Sequence, residues 1–235
     1  MSLSKIKIPQ YTTKQDVWNS ITHGAGTVFG IVAIVLMLLK ICVWGYDGGN
    51  IVEKTYRIIG VSLYGFGMLC TYTISSVYHG LYKNNGKKVL RVIDHDTVYL
   101  LIAGTYSAFC LITLREQTIW GIIPYAGWII FGVCWAGVIV GIVFNSIDMN
   151  KYKILSFSLY IIVGWTIILA SKELIDLLTI NGFLWLLFGG ISYTLGSVMY
   201  GIGKKKSLWW HTVFHVLILV GTVLQFIAIY FYALN

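Results

Sequence analysis

The feature that most constrains this chain is a series of long apolar segments separated by short polar loops. A membrane-spanning helix needs about 20 predominantly apolar residues in a row. Seven segments reach about that length, over residues 21–43, 56–80, 93–114, 120–144, 153–171, 183–203 and 208–232. The sequence therefore predicts an all-α fold, a bundle of seven transmembrane helices in the cell membrane. Residues 1–20 are predicted to form a cytoplasmic amino-terminal segment, and residues 21–235 the transmembrane domain.

The composition supports a membrane protein and excludes a nucleic-acid-binding one. Hydrophobic residues make up 57% of the chain and charged residues 11%, whereas a soluble domain is roughly 45–50% apolar and about 25% charged. The net charge of +8 lies in short loops, where basic residues set membrane topology. Membrane lipids are therefore the predicted partners, with no nucleic acid. The four cysteines show no paired spacing, so neither a disulfide framework nor a cysteine metal site is predicted.

The distribution of Lys and Arg predicts the orientation and brings several polar residues to one end of the bundle. Twelve of these residues fall on the amino-terminal side of the membrane and five on the other. The positive-inside rule then places the N-terminus in the cytoplasm and the C-terminus outside. The second span ends inside with Ser75 and His79, the third begins near Asp94, and the seventh begins with His211 and His215. Polar groups at this depth are costly unless they meet partners inside the bundle.

The three histidines of this group predict a metal site. His211 and His215 are four residues apart, so on a helix they lie on one face and can coordinate the same ion. With His79 they supply three imidazole ligands, which leaves a fourth tetrahedral position for water, as in catalytic zinc sites. Zn²⁺ is the predicted ion, while Fe, Cu and Ni also suit imidazole and Ca and Mg do not.

Two further residues have predicted catalytic roles. Zinc lowers the pKa of a bound water to about 7, and Asp94 is placed to act as the general base or to orient that water. Ser75 lies one turn before His79, where it could hydrogen-bond a ligand imidazole or donate to a substrate carbonyl. Hydrolysis of an amide or ester bond in a lipid substrate, reached from the inner leaflet, is the reaction that this set of residues would support.

Structural interpretations of the same residues remain open from the sequence. His211 and His215 could be interfacial histidines beside Trp209 and Trp210, which are typical of a membrane-interface anchor. Asp94 could cap the third helix, because the helix dipole favours an acidic residue at an N-terminus.

The neighbouring polar residues are assigned to supporting or structural roles. His95 is rotated about 100° from Asp94 on a helix and is not a predicted ligand. Asp96 is predicted to be a plain cap or a loop ion pair. His23 lies at the start of the first span, where it would support a ligand or hydrogen-bond another helix.

Three short motifs also carry a family resemblance. They are Ser75 with His79, Asp94 with His95 and Tyr99, and His211 with His215. Together with residues 19–24, 94–106 and 189–193, they resemble the signature of the hemolysin III proteins. That family is grouped with the progestin and adipoQ receptors and, more distantly, with the alkaline ceramidases. The resemblance covers nearly the whole chain.

The resemblance implies a seven-helix membrane protein with a site that faces the cytoplasm. It implies that His79, His211 and His215 hold Zn²⁺ and that a water bridges the ion to Asp94. Tyr99 is assigned a supporting position behind the ligands.

The chain departs from the family pattern at two places. Asp16 stands where a Glu is usual, a change expected to matter little. Ser107 and Ala108 replace the usual Thr-Pro, which is expected to straighten the third span locally because it removes a kinking proline.

The resemblance leaves several functions in competition. The site chemistry favours a zinc-dependent hydrolase of lipid amides or esters. The family name refers to the lysis of red cells by pore formation, which would require a homo-oligomer. The receptor-like relatives suggest instead a non-catalytic receptor or a regulator of membrane homeostasis.

Overall fold

A computed structural model of the protein describes residues 6–44, 51–203 and 206–235. Lys204 and Lys205, part of a basic loop used to assign the orientation, lie outside the described residues, as do residues 1–5 and the loop 45–50. The helices are α1 (Thr13–Leu39), α2 (Ile51–Gly80), α3 (Asn85–Ala108), α4 (Ala126–Asp148), α5 (Lys153–Trp165), α6 (Ser171–Gly203) and α7 (Trp209–Ala228). The described residues contain no β-strand, so the all-α prediction is confirmed.

Within the described residues, six helical stretches are long and apolar enough to cross a membrane. The predicted fifth and sixth segments fall within one of them, Lys153–Gly203, which is 51 residues long. A 3₁₀ turn, Thr166–Ala170, joins α5 to α6 in this stretch. Within α6, Thr179 has non-helical torsion angles, φ 63° and ψ 165°. Composition divided this stretch into two segments because Lys172 and Glu173 interrupt the apolar run, whereas in the structure these residues lie within α6 and the backbone breaks at Thr179.

Capping residues explain why two helices begin earlier than predicted. α1 begins at Thr13 because Thr12 and Gln15 form a reciprocal capping box. Part of the predicted amino-terminal segment is therefore helical. Asn84 caps α3 by accepting a hydrogen bond from the Lys87 backbone N–H, so this helix starts at Asn85 and not at residue 93.

The third span does not continue as regular α-helix past the position where the family has a proline, and its expected local straightening stays a prediction. Regular α-helix ends at Ala108, and Phe109–Thr113 is π-helical. Similar π-helical turns, Lys40–Trp44 and Ile229–Ala233, extend α1 and α7. Loss of the proline therefore does not produce a regular helix here, because the backbone widens at the following residue.

Close packing of α2 against α3 positions one wall of the site. A Cβ atom added to Gly67 would lie 2.5 Å from the carbonyl oxygen of Leu100, and one added to Gly104 would lie 2.6 Å from that of Leu63. Only glycine permits this approach. α1 packs against both α2 and α7, and α6 packs against α7. The end of α2 and the start of α7 are thereby brought together.

Candidate metal centre

His79, His211 and His215 meet at one end of the bundle. His79 lies in the last turn of α2, and the other two lie in the first two turns of α7. The Nε2 atom of His211 is 3.1 Å from Nε2 of His79 and 3.1 Å from Nε2 of His215. All three side chains are buried, and their ligand atoms lie within 4.8 Å of one another.

The donor set fits a tetrahedral metal ion. Two nitrogens bound to one zinc at about 2.05 Å would be roughly 3.3 Å apart, close to the two observed separations. An imidazole nitrogen carries either one proton or one lone pair. His211 Nε2 therefore cannot form proper hydrogen bonds with both neighbours, whereas one cation would satisfy all three nitrogens.

The other ring nitrogens orient the same three imidazoles. His79 Nδ1 lies 2.8 Å from Asp16 Oδ1, and His215 Nδ1 lies 3.2 Å from the backbone carbonyl of Asn19. Carboxylate and carbonyl oxygens can only accept, so each Nδ1 is the donor and its proton stays there. The Nε2 lone pairs then point toward the centre of the cluster, the arrangement usual for histidine ligands of metals.

Asp16 has a larger role than the sequence suggested. Its Oδ1 atom accepts from His79, and its Oδ2 atom accepts from Lys87 Nζ at 3.1 Å. Lys87 is itself buried and also donates to the carbonyl of Leu81. The sequence treated this position only as a minor departure from the family pattern, whereas the structure places its carboxylate in direct contact with a cluster histidine.

Asn19 connects the first helix to α7. Besides accepting from His215 through its backbone, Asn19 accepts from the Thr212 hydroxyl through Oδ1 at 2.6 Å. Sequence reasoning missed Asn19 and Asp16 as site residues. The available signal was their spacing with His23, since positions 16, 19 and 23 share one helix face.

Asp94 lies beside the histidines but outside the three-residue cluster. It is buried in the third turn of α3, next to Ser75 and near His79. The alternative that Asp94 caps the helix is wrong, because Asn84 is the cap. Ser75 Oγ is buried without a hydrogen bond of standard geometry to any described residue. Both side chains line the cavity beside the cluster, so each is placed to contact a bound molecule.

The predicted supporting residues occupy different places. The His23 ring stacks on the His215 ring, with centroids 3.6 Å apart. Tyr99 donates a hydrogen bond to the Ser156 carbonyl and packs against Tyr160. A Cβ atom added to Gly141 would collide with the Tyr99 ring, which shows how closely α3 and α4 approach. His23 therefore contacts a cluster histidine, whereas the contacts of Tyr99 are those of helix packing.

The two remaining polar residues of this region have separate contacts. His95 lines the cavity, and its backbone carbonyl accepts from the Tyr160 hydroxyl. Asp96 accepts from Asn145 Nδ2 at 2.8 Å and from Ser146 Oγ at 2.7 Å. The predicted cap or loop ion pair for Asp96 is wrong, because this carboxylate links α3 to α4.

A cavity of about 510 Å³ opens beside the histidine cluster. Two of the cluster histidines, His211 and His215, contribute to its wall together with Ser75 and Asp94. Apolar side chains from α3, α5, α6 and α7 line much of the rest; they include Val98, Phe157, Val198, Phe214 and Ile218. A methylene group in a liquid occupies roughly as much volume as a water, about 30 Å³. The cavity therefore has room for an extended acyl chain.

The segment before α1 passes beside the histidine cluster, and Tyr11 contacts two of its rings. The Tyr11 ring stacks on His211 and meets His79 edge-on, with both centroid separations at 5.3 Å. Arg91 donates to the Lys7 carbonyl, and Lys83 donates to Gln10 Oε1. Burial, the largest cause, raises the pKa of Tyr11. The phenol therefore stays protonated at neutral pH and shields the cluster as an uncharged ring.

The fold and the site together define a class, that of an all-helical, multi-pass membrane protein with three imidazoles converging at one end. Residues 11–226 match the haemolysin-III related family, and the chain belongs to that family. The resemblance seen in the sequence motifs is thus confirmed.

Two relatives are similar to this chain along nearly its full length. "Hemolysin-3" of Bacillus cereus is 32% identical over 221 residues, which cover 94% of this chain and 93% of the relative. "Hemolysin-3 homolog" of Bacillus subtilis (strain 168) is 31% identical over 225 residues, which cover 96% and 97%. No solved structure matches the chain.

Proposed function

We propose that this protein is a zinc-dependent hydrolase of amide or ester bonds in lipids, embedded in the cell membrane. The observation that carries the proposal is the convergence of three Nε2 atoms beside an acyl-sized cavity that Asp94 also lines. Three buried imidazoles that converge, a carboxylate and a largely apolar cavity are the parts that a metal-assisted hydrolysis of a lipid requires.

In the proposed topology the chain crosses the membrane seven times. The stretch Lys153–Gly203, at about 1.5 Å per residue, would measure about 76 Å as a straight helix. The hydrocarbon layer is only about 30 Å thick, and the backbone breaks at Thr179, so two crossings account for this stretch. An odd number of crossings puts the termini on opposite sides. The excess of Lys and Arg then favours a cytoplasmic N-terminus, which places the histidine cluster near the cytoplasmic leaflet.

His79, His211 and His215 would hold the zinc ion through Nε2. When bound, zinc supplies a Lewis acid that lowers the pKa of a water to about 7. Asp16 and the Asn19 carbonyl keep the rings of His79 and His215 in the required tautomer. The protein's own contribution to the metal chemistry is therefore to orient its ligands before the ion arrives.

Asp94 would transfer the proton in the reaction, and Ser75 would stabilise the charge that develops on the substrate. Asp94 accepts a proton from the attacking water as the new carbon–oxygen bond forms at the substrate carbonyl. The same carboxyl group then returns that proton to the leaving nitrogen or oxygen as its bond to the carbonyl carbon breaks. Ser75 Oγ, which lines the cavity, donates to the carbonyl oxygen as negative charge develops there.

Metal analysis of the purified protein tests the site. We expect about one zinc per chain in the wild type and almost none in a His211→Ala/His215→Ala double variant. His95→Ala is the matched control, because it removes an imidazole that lines the cavity but lies outside the cluster. Equal metal content in the wild type and the double variant would overturn the proposal. A screen of lipid amides and esters, with the double variant as the blank, then tests turnover.

A second candidate function is pore-forming cytolysis, which the name "Hemolysin-3" of the Bacillus cereus relative favours. A pore would require a homo-oligomer that encloses water, and it would not need the histidine cluster. Release of a dye from vesicles by the purified wild type tests this function. Release that persists in the double variant and in Asp94→Asn would favour cytolysis over catalysis.

A further inference from the structure

Arg91 is a buried cation that faces the cavity without a matching carboxylate. Its side chain lines the cavity, and the residue is only 7% exposed. Its guanidinium donates to the backbone carbonyl of Lys7. None of the ion pairs within 4 Å among the described residues involves Arg91, and Asp94 lies one turn further along α3 without closing such a pair. A charge buried in this way is costly unless an anion compensates it.

A second cation stands on another wall of the same cavity. Lys153 is the first residue of α5 and lines the cavity together with Ser156, one turn further on. No ion pair of Lys153 with a described carboxylate occurs either. Ser156 Oγ is buried and has no hydrogen-bond partner among the described residues. The α3 and α5 walls thus each carry a cation and, one turn deeper, a polar group open to a bound molecule.

The charges that line the cavity are unbalanced. Arg91 and Lys153 bring two positive charges, whereas Asp94 is the one carboxylate among the lining residues. A zinc ion at the histidine cluster would increase the excess of positive charge. An anionic ligand would balance these charges, most strongly at the buried Arg91, because opposite charges attract more strongly where water is scarce.

We infer that the lipid hydrolysed at this site carries a carboxylate or phosphate group on the leaving-group side of its scissile bond. The inference rests on the proposed hydrolase function. Arg91 and Asp94 are three residues apart on α3, about 5 Å along one helix face. The anionic group would therefore lie about one helix turn from the scissile carbonyl, held by Arg91 and Lys153. Val98 and Ile218, deeper in the cavity, would contact the acyl chain.

Matched pairs of substrates test this inference with the purified full-length protein. N-palmitoylglycine and N-palmitoylethanolamine differ only in a carboxylate in place of a hydroxymethyl group. 1-Palmitoylglycerol 3-phosphate and 1-palmitoylglycerol form the corresponding phosphate pair. We expect the anionic member of at least one pair to have a kcat/KM about tenfold higher or more, since a hydrogen bond to a charged group is worth about that factor. The pair that shows the larger preference identifies the anion as a carboxylate or a phosphate.

Lys153→Gln tests the cation without disturbing the fold, because Lys153 is exposed at the start of its helix. We expect this variant to lose most of the preference through a higher KM for the anionic lipid, with a smaller change in the KM for the neutral lipid. Lys151→Gln is the matched control, since Lys151 is exposed in the turn just before α5 but does not line the cavity. An unchanged preference in Lys153→Gln, or an equal loss in Lys151→Gln, overturns the inference.

The outcomes separate the inference from the function on which it rests. Equal turnover of anionic and neutral lipids leaves the hydrolase in place and overturns the anionic substrate. If no lipid is hydrolysed, the proposed function fails, and dissociation constants of the same four lipids decide whether the anion site exists. Tighter binding of the anionic lipids that Lys153→Gln abolishes supports the site, and equal binding of all four overturns it.

Discussion

Two buried polar clusters in this protein differ in whether their polar atoms can all form hydrogen bonds within the protein. Around Thr222, in the middle of α7, the hydroxyls of Tyr72 and Tyr193 lie 2.5 Å and 2.9 Å from Thr222 Oγ1. Thr222 Oγ1 in turn donates to the Ile218 carbonyl, and the Tyr64 hydroxyl donates to the Thr222 carbonyl. Every hydroxyl in this cluster has a partner. The cluster therefore explains how α2, α6 and α7 are joined and requires no ligand.

The histidine cluster at the end of the same helices is arranged differently. The Nδ1 atoms of His79 and His215 donate to protein oxygens. The three Nε2 atoms face one another, and His211 Nε2 cannot form proper hydrogen bonds with both of its neighbours. A buried polar group that its own protein cannot satisfy is costly. The Thr222 cluster is therefore complete as a link between helices, whereas the ion that we propose would satisfy the nitrogens of the histidine cluster.

The largest expected effect is the loss of metal on removing one of the three histidines. In His79→Ala we expect zinc content to fall from about one ion per chain to nearly none, because two imidazoles cannot hold the ion tightly. Metal content measured by mass spectrometry after dialysis against a weak chelator gives the result. Zinc retained at the wild-type level would show that His79 is not needed to bind the ion. The histidine cluster would then, like the Thr222 cluster, have only a structural role.

Asp94→Asn is expected to separate catalysis from metal binding. Loss of the general base should lower kcat by about 10²–10⁴-fold while zinc content stays at the wild-type level, since Asp94 lies outside the ligand cluster. Asp96→Asn is the matched control because its carboxylate faces Asn145 and Ser146 instead. Equal activity losses in the two variants would show that Asp94 acts through the structure of α3 alone.

Asp16→Asn should weaken metal binding without abolishing it. The amide no longer attracts the Nδ1 proton of His79 as strongly, and outer partners of this kind are typically worth about 10–100-fold in metal affinity. Competition with a fluorescent zinc chelator measures the change. Asp176→Asn is the control because it removes an exposed carboxylate from a different helix, α6. An affinity for zinc unchanged by Asp16→Asn would contradict the orienting role of this residue.

The sequence predicted the parts of this molecule that depend on composition and local spacing. Apolar length predicted the helices, and the i, i+4 spacing predicted that His211 and His215 share a face. The sequence did not predict the features that depend on contacts between helices. Asp16 shares a helix face with Asn19 and His23, but this spacing could not show that its carboxylate would meet His79 on another helix. The assignment of Asp94 as a cap or a site residue likewise depended on where α3 begins, which Asn84 determines.

The smallest expected effect is that of Thr222→Val, which tests the structural role of the Thr222 cluster. This change removes the acceptor shared by Tyr72 and Tyr193 while nearly conserving volume, and polar contacts between membrane helices are worth about 0.6–1.7 kcal/mol. We therefore expect a lower thermal unfolding temperature in detergent by a few degrees, with zinc content unchanged. Loss of zinc in Thr222→Val at temperatures where the protein remains folded would mean that the two clusters are coupled. The polar network in the middle of the bundle would then belong to the site rather than only to the fold.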